Sequence, residues 1–559
     1  MITRRMFHTR LIAVLATAMA PIPRAAFARA SDVDRIWLNR LTFGATDAET
    51  VRIAELGREG WLDWQLSHPV SDPALDARLA AARLRMAYEA GTDEDGNAWA
   101  ALDEMRPLDA LAADPADLVR LLDWGPGKGM DYSERTRPAQ DVIAAAPVRA
   151  VHATGQLREV MTQFWHDHFN VNSAKDETCA VFFASHDALL RGHAFGNFRA
   201  LLGDVARSPA MLYYLNNADS TASPANENFA RELLELHTLG AANYLNDRFS
   251  DWHAVPGALD GASEGYLDLD VYEVARAFTG WSVGDGRWLA EGEAAPRSGE
   301  FFYVDRWHDP YQKRVLGREF APNRAPMADG NEVLDILARH PGTARHICTK
   351  IARRFLSDDP DPGLVNRLAQ VFLQSSDAPD QMAQVIRALV LSPEFDAPPS
   401  KLRRPFEFLV ALYRATGAEV VNPENAYHWQ LGRAGWTQHA FGPPTGHPDV
   451  ASAWTGASSL NRLVDLALYA HDDWFGTARP DLGGLAELAS PDETLRAFLV
   501  RHAAALTPDA AETIATDLGA AFFADGLDGP ADQSAPEDRQ GAALAAVAFA
   551  ALTPDFLLR

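Results

Sequence analysis

The chain has 559 residues, 47% of them hydrophobic, which is enough to bury a sizeable core. Acidic residues outnumber Lys and Arg by 76 to 51; a formal charge of −25 repels phosphate backbones and anionic lipid, so nucleic acid is not an expected partner. Cys179 and Cys348 are the only cysteines, so at most one intrachain disulfide can form and no thiolate metal cluster can be built.

The N-terminus reads as a targeting segment. Arg4 and Arg5 stand between Thr3 and Phe7, a mostly apolar stretch runs from Leu11 to Ala20, and small residues at Ala26, Ala28 and Ala30 offer signal-peptidase sites. Residues 1–30 are therefore expected to be a twin-arginine signal cleaved after Ala30, with the mature protein periplasmic or extracellular. The alternative, a membrane anchor, fails on length: roughly ten to fifteen apolar residues, broken by Pro21, Pro23 and Arg24, fall short of the ~20 that span a bilayer. No later apolar run is longer, so no integral membrane span is expected after cleavage.

Beyond the leader the chain reads as helix after helix. Residues 116–122, 156–165, 271–278 and 403–416 place apolar side chains at spacings of three and four. Starts of the form hydroxyl, proline, acid recur at Ser392, Ser490, Thr507 and Thr553, as expected for a hydroxyl N-cap, a proline in the first turn and a carboxylate near the positive helix end. Gly, Pro, Asp and Ser cluster at 91–97, 125–129, 249–265, 284–299 and 525–540, which predicts surface loops. A weak echo joins residues 385–395 to 546–556. The expected fold is all-α, a multi-helix globular architecture with long surface loops, in which 31–475 form a helical core and 476–559 a helical segment packed on it.

The densest polar constellation is Pro224–Gly240. On an α-helix Glu227, Asn228, Arg231, Glu232 and Glu235 share a face about 140° wide, while His237 lies off it and Gly240 suits a C-cap. Three carboxylates together are what hard cations choose, and iron or manganese sites add imidazole. Glu227, Glu232 and Glu235 are thus candidate metal ligands, with Glu232, Glu235 and Arg231 as candidate catalytic groups. The competing reading makes the same face a pair of ion pairs, since Arg231 is four residues from both Glu227 and Glu235.

A second cluster places His166 and His168 around Asp167. Both are candidate ligands, although a continuing helix turns them ~200° apart, beyond the reach of one metal. His308 and Asp309 sit in an expected loop and complete the candidate catalytic set, while His340 reads as a polar helix cap. Gly261–Gly265 and Gly280–Gly284 both spell G-x-S-x-G, but neither Ser263 nor Ser282 has the strand before and helix after that a nucleophile elbow needs.

At these residues the chain resembles the bacterial family catalogued as domain of unknown function 1800. The likeness is carried by Leu38–Thr46, Phe164–Val171, Gly196–Arg199, Ala206–Leu215, Pro224–Gly240, Ala275–Trp281, His308-Asp309, His340–Arg345 and Thr553–Arg559. Two features depart from the family pattern: a longer segment between Gly240 and Asp270, and Asp167 where asparagine is common. The resemblance implies a predominantly helical exported protein and supplies no reaction; it also implies a partner from a second exported family resembling sulfatases and phosphatases.

Two functions compete. The first is an exported helical enzyme with a metal-centred carboxylate and histidine site, its divalent or transition ion unidentified. The second is a non-catalytic envelope binding or assembly protein whose polar clusters are buried ion-pair networks.

Overall fold

The computed structural model describes residues 30–122, 128–423, 425–470, 487–490, 492–522 and 526–559. The expected signal, apart from Ala30, lies outside the described residues, as do the expected boundary at 475 and the glycine-rich turn at 125–127.

The described chain is mostly helical. Among the described residues the β-structure is limited to small two-stranded antiparallel pairs, the longest joining Arg83–Tyr88 to Leu102–Pro107 and Trp281–Asp285 to Arg297–Tyr303. The stretch 284–299, expected as a loop, therefore belongs largely to hairpin strands, and 91–97 contributes the short strand Gly91–Thr92. Among the described residues no helix is long and apolar enough to cross a membrane.

The helical expectations hold at Gln156–His168, Asp268–Ala277 and Pro405–Thr416, whereas 116–122 divides into the helical turn Pro115–Leu118 and the 3-10 turn Val119–Leu121. The hydroxyl-proline-acid starts do not cap as expected. Thr553 turns its hydroxyl back to Ala550 O (2.7 Å), Thr507 donates to Asp555 (3.2 Å), and Ser392 opens only a 3-10 turn, without a cap hydrogen bond. Carboxylate and amide oxygens do most of the capping instead, at Asp72, Asp176, Asn197, Asn226 and Asp361. His340 caps helix Pro341–Phe355 through Nδ1, which accepts from Gly342 N at 2.9 Å. Both cysteines are buried free thiols.

One apolar cluster runs from Trp37 to Phe556, so the first and last helices share a core. The chain end is drawn into it: Lys401 and Arg559 exchange backbone hydrogen bonds (3.2 and 2.8 Å), and Arg403 N donates to Leu557 O (2.9 Å). The stretch 525–540, expected as a surface loop, contains the buried Ala531 and the start of helix Pro536–Ala551.

Helix Arg137–His152 holds a buried carboxyl with a pH consequence. Asp141 is fully buried; its Oδ2 accepts from Ala110 N (3.0 Å) and its Oδ1 has no partner among the described residues. Burial pushes the carboxyl up to about 7. The unfolded side chain ionises near ~3.9, so between that pH and about 7 the unfolded state releases the proton first and stability falls as pH rises. Asp141→Asn is expected to raise the thermal midpoint by a few degrees at pH 8 and by less at pH 5; an equal change at both pH values, read by calorimetry, overturns this reading.

Candidate functional site

Helix Gln156–His168 is enclosed on nearly every side, which is why its sequence is apolar on more than one stripe. Leu157, Val160, Met161, Phe164 and Trp165 are buried, and so are Gln156, Glu159, Gln163, His166 and His168. Each buried polar side chain therefore needs a partner.

His166 finds one in Asp187, on the neighbouring helix Phe183–Gly192: Nε2 lies 3.0 Å from Oδ1. A carboxylate only accepts, so Nε2 is the donor in this bond, and Nδ1 makes no hydrogen bond among the described residues. Burial opposes the charge on Asp187, but Arg191 and Arg149 outweigh it and hold the carboxyl well below its usual range. Arg149 reaches Oδ2 at 2.8 Å, and Arg191 binds both Asp187 (3.2 Å) and Glu159 (2.6 Å).

The other wall comes from the turn at 436–440. Gln438 accepts from Trp436 Nε1 (2.7 Å) and donates to Gln163 Oε1 (3.3 Å) and to His439 Nε2 (3.0 Å). This orientation leaves the His439 proton on Nδ1. His439 adopts a left-handed backbone (φ 55°), uncommon for a residue with a Cβ, and is held there by Ser173 N donating to its carbonyl (3.0 Å). Its ring centroid lies 4.2 Å from that of His166. Burial, then the neighbouring His166, keeps His439 neutral by lowering its pKa well below the ordinary histidine value. His166, His439, Gln163, Asp187, Arg149 and Glu159 are half of the residues lining a pocket of about 20 Å³, to which Phe43 and Phe406 add apolar walls. That volume admits a water or the tip of a larger molecule.

Asp167 points elsewhere, to Arg404 (2.8 Å) and to the backbone N and Nδ1 of His447 (both 3.2 Å). Burial works against its charge, but Arg404 and His447 hold it below the usual carboxylate range. Arg404 also binds Glu407, which accepts in addition from Arg404 N (3.0 Å) and from Arg354. The loop reaches Asp167 closely enough that a Cβ on Gly446 would sit 2.1 Å from the Asp167 carbonyl oxygen, so glycine is required.

His168 uses both nitrogens in hydrogen bonds, Nε2 with His237 O (3.2 Å) and Nδ1 with Lys350 Nζ (2.8 Å). It is not left free for a metal, which corrects its expected role. His166 has a free Nδ1, but it lies in the separate Asp187 network and not beside the Glu227–Glu235 face.

That face is not a metal cradle. Helix Glu227–Glu232 continues as a π-turn, Leu233–Thr238, which alters the angular step before Glu235. Glu227 is exposed, with Arg231 3.8 Å away; Arg231 also meets Asp268 (3.3 Å) and makes no ion pair with Glu235. Burial, and then the Glu235 charge, raise the Glu232 carboxyl. Among the described residues no three His, Cys, Asp or Glu side chains gather as a metal-ligand set, so Glu227, Glu232, Glu235, His166 and His168 do not form the expected one.

His308 and Asp309 stand apart from both. His308 bonds Thr279 O (3.0 Å) and Asp329 (3.3 Å), while Asp309 takes both arms of Arg276 (2.7 and 3.1 Å) and anchors the turn that follows. Ser263 and Ser282 donate to the carbonyls of Gly265 and Ala218, both at 2.7 Å. Asp187, His439, Arg149, Arg191 and Lys350 were absent from the sequence-derived set; the one local signal was the His186-Asp187 pair on the helix Phe183–Gly192.

The two carboxylate systems should respond differently to mutation. Asp187→Ala strands two guanidiniums and is expected to cost ~3–5 kcal/mol, whereas Glu235→Gln, on a half-exposed side chain, should change stability by less than ~0.5 kcal/mol. Thermal and denaturant unfolding of the two variants check this ordering.

No curated protein and no solved structure shows a significant match to the chain. The family model described as "Protein of unknown function (DUF1800)" matches residues 36–558, a span that takes in all the described helices from Gln156–His168 to the C-terminal turn Pro554–Leu557. The chain belongs to the DUF1800 family.

Proposed function

We propose that this protein is an exported helical enzyme whose acid–base centre is the Asp187–His166 pair. The observation that carries the reading is a buried imidazole with one nitrogen fixed on an ionised carboxylate and the other without a hydrogen bond among the described residues, beside a small polar pocket. In that arrangement Nδ1 takes a proton from a water or hydroxyl entering the pocket, and Asp187 orients the ring and stabilises the imidazolium. The His439 Nδ1–H is the neighbouring donor, suited to polarise the atom that gains charge. Arg149 and Arg191 are balanced by Asp187 and Glu159, so the pocket does not select for net charge. This favours hydrolysis or proton transfer at a neutral polar group over phosphoryl chemistry. Export by the twin-arginine route, signalled by Arg4 and Arg5, fits a protein that completes such a core before crossing the membrane.

A second reading, a non-catalytic envelope binding or assembly protein, is favoured by the Asp167, Arg404, Glu407 and Arg354 network, whose charges are mutually paired.

His166→Gln separates the two, because glutamine can still donate to Asp187 but cannot take a proton. Against a panel of chromogenic esters, amides and glycosides, the enzyme reading expects a turnover that this variant loses by ~10²–10⁴-fold with the thermal midpoint retained. Turnover unchanged in His166→Gln sinks the assignment, and no turnover in the wild type moves the assembly reading to first place. Elemental analysis of the same preparations distinguishes a metal-assisted version: His166 Nδ1, backed by Asp187, is the nitrogen a metal would take.

A further inference from the structure

The chain has only five lysines, and four of them face a carboxylate within 4.0 Å: Lys128 meets Asp95, Lys175 meets Asp176, Lys313 meets Asp329 and Lys401 meets Asp358. Lys350, on helix Pro341–Phe355, has none among the described residues. Its hydrogen bond goes to an imidazole, His168 Nδ1, at 2.8 Å. The direction of that bond is fixed by the far side of the ring. His168 Nε2 faces the His237 carbonyl, which only accepts, so Nε2 carries the proton and Nδ1 offers its lone pair to Lys350.

Two further imidazoles close the surroundings. The rings of His237 and His346 lie 6.1 and 6.2 Å from that of His168. His237 is buried in the π-turn, with Nε2 unpartnered, and His346 Nε2 is spent on Leu236 O at 3.0 Å. Gly240 lets His346 approach; a Cβ there would stand 2.6 Å from His346 Nδ1, at a backbone φ of +83°. Burial and then Lys350 lower the His237 and His346 rings to about 3 and about 4, so both are neutral at working pH.

We propose that Lys350 is a nucleophilic amine that forms an imine with a small aldehyde or ketone reaching the His168–His237–His346 cluster. The Nζ lone pair attacks the carbonyl carbon and a C–N bond forms. Two protons pass in turn from nitrogen to the carbonyl oxygen by way of His168 Nδ1, the first giving the carbinolamine and the second letting the C–O bond break with loss of water; nothing is oxidised or reduced. The inference is independent of the Asp187–His166 reading, which uses another face of the same helix.

The electrostatic surroundings agree with a reactive amine. Burial lowers Lys350 to about 8 against the pull of Asp167 and Asp449, while Arg353 on its own helix lowers it further. His168, His237 and His346 are the other titratable groups packed around it. The Lys350 residue is half-buried and not sealed in the core.

The test is reductive ethylation of the whole folded protein with acetaldehyde and cyanoborohydride at pH 7, read lysine by lysine in peptide mass spectra. Lys350 should be ethylated on the order of tenfold faster than the exposed Lys128 and Lys175. In guanidinium all five should react alike, which ties the difference to the fold. Ethylation of Lys350 at or below the rate of the exposed lysines in the folded protein overturns the proposal. His168→Glu supplies a second readout: a carboxylate beside the amine should bring its rate down to that of Lys313 and Lys401, and an undiminished rate in a folded variant counts against the imidazole-partnered amine.

Discussion

Taking a charge out of water costs several kcal/mol unless an opposite charge and hydrogen bonds go with it, and the centre of this protein is organised around meeting that cost. Helix Gln156–His168 ends in three consecutive polar residues, His166, Asp167 and His168, at a depth where solvent supplies little. Successive residues on a helix point ~100° apart, so the three cannot share a partner. Three neighbours answer separately: helix Phe183–Gly192 with Asp187, the start of helix Pro405–Thr416 with Arg404, and helix Pro341–Phe355 with Lys350. The positions of those elements around the central helix follow from this matching as much as from apolar packing. The loop at 438–447 is secured similarly, by Asn170 donating to Phe441 O and Pro443 O and by the close approach of Gly446.

Much of this was legible from the sequence, and the parts that were not have physical reasons. The helical period of 156–165 is correct, and so is the inference that His166 and His168 diverge, because the helix runs unbroken to His168. Their partners were not legible. Asp187, His439 and Lys350 are remote in the chain, and no local pattern distinguishes an aspartate that meets a buried histidine from one that meets water. The Glu227–Glu235 face was read on an ideal 3.6-residue period. The π-turn at Leu233–Thr238 breaks that period after Glu232, so the Arg231–Glu227 contact survives while an Arg231–Glu235 pair does not form. The hairpin strands between 281 and 303 escaped notice because they are short and interrupted by glycines that also read as loop.

Aspartate at 167 fits the same logic. Arg404 is fully buried and shares Glu407 with Arg354 and Arg559, so one carboxylate faces three guanidiniums. The negative charge of Asp167 supplies a second carboxylate on the far side of Arg404. An amide at that position would accept the same hydrogen bond without the charge. The Asp167 charge thus bears first on the balance of the buried network around Arg404.

Net charge and surface charge differ here because of where the arginines lie. Arg40, Arg403, Arg414 and Arg559 are buried and donate largely to backbone carbonyls of distant segments, Arg414 to Gly44 O and Val151 O, and Arg559 to Arg354 O. Burial lowers Arg403 to about 9 and Arg40, Arg414 and Arg559 to about 10, so all four remain cationic at neutral pH and inaccessible. Basic residues are thus used inside as cross-braces while exposed carboxylates such as Glu227 stay in water. A macromolecule that docks on this surface has to bring its own cations, and a substrate approaching the neutral pocket beside His166 gains nothing by being an anion.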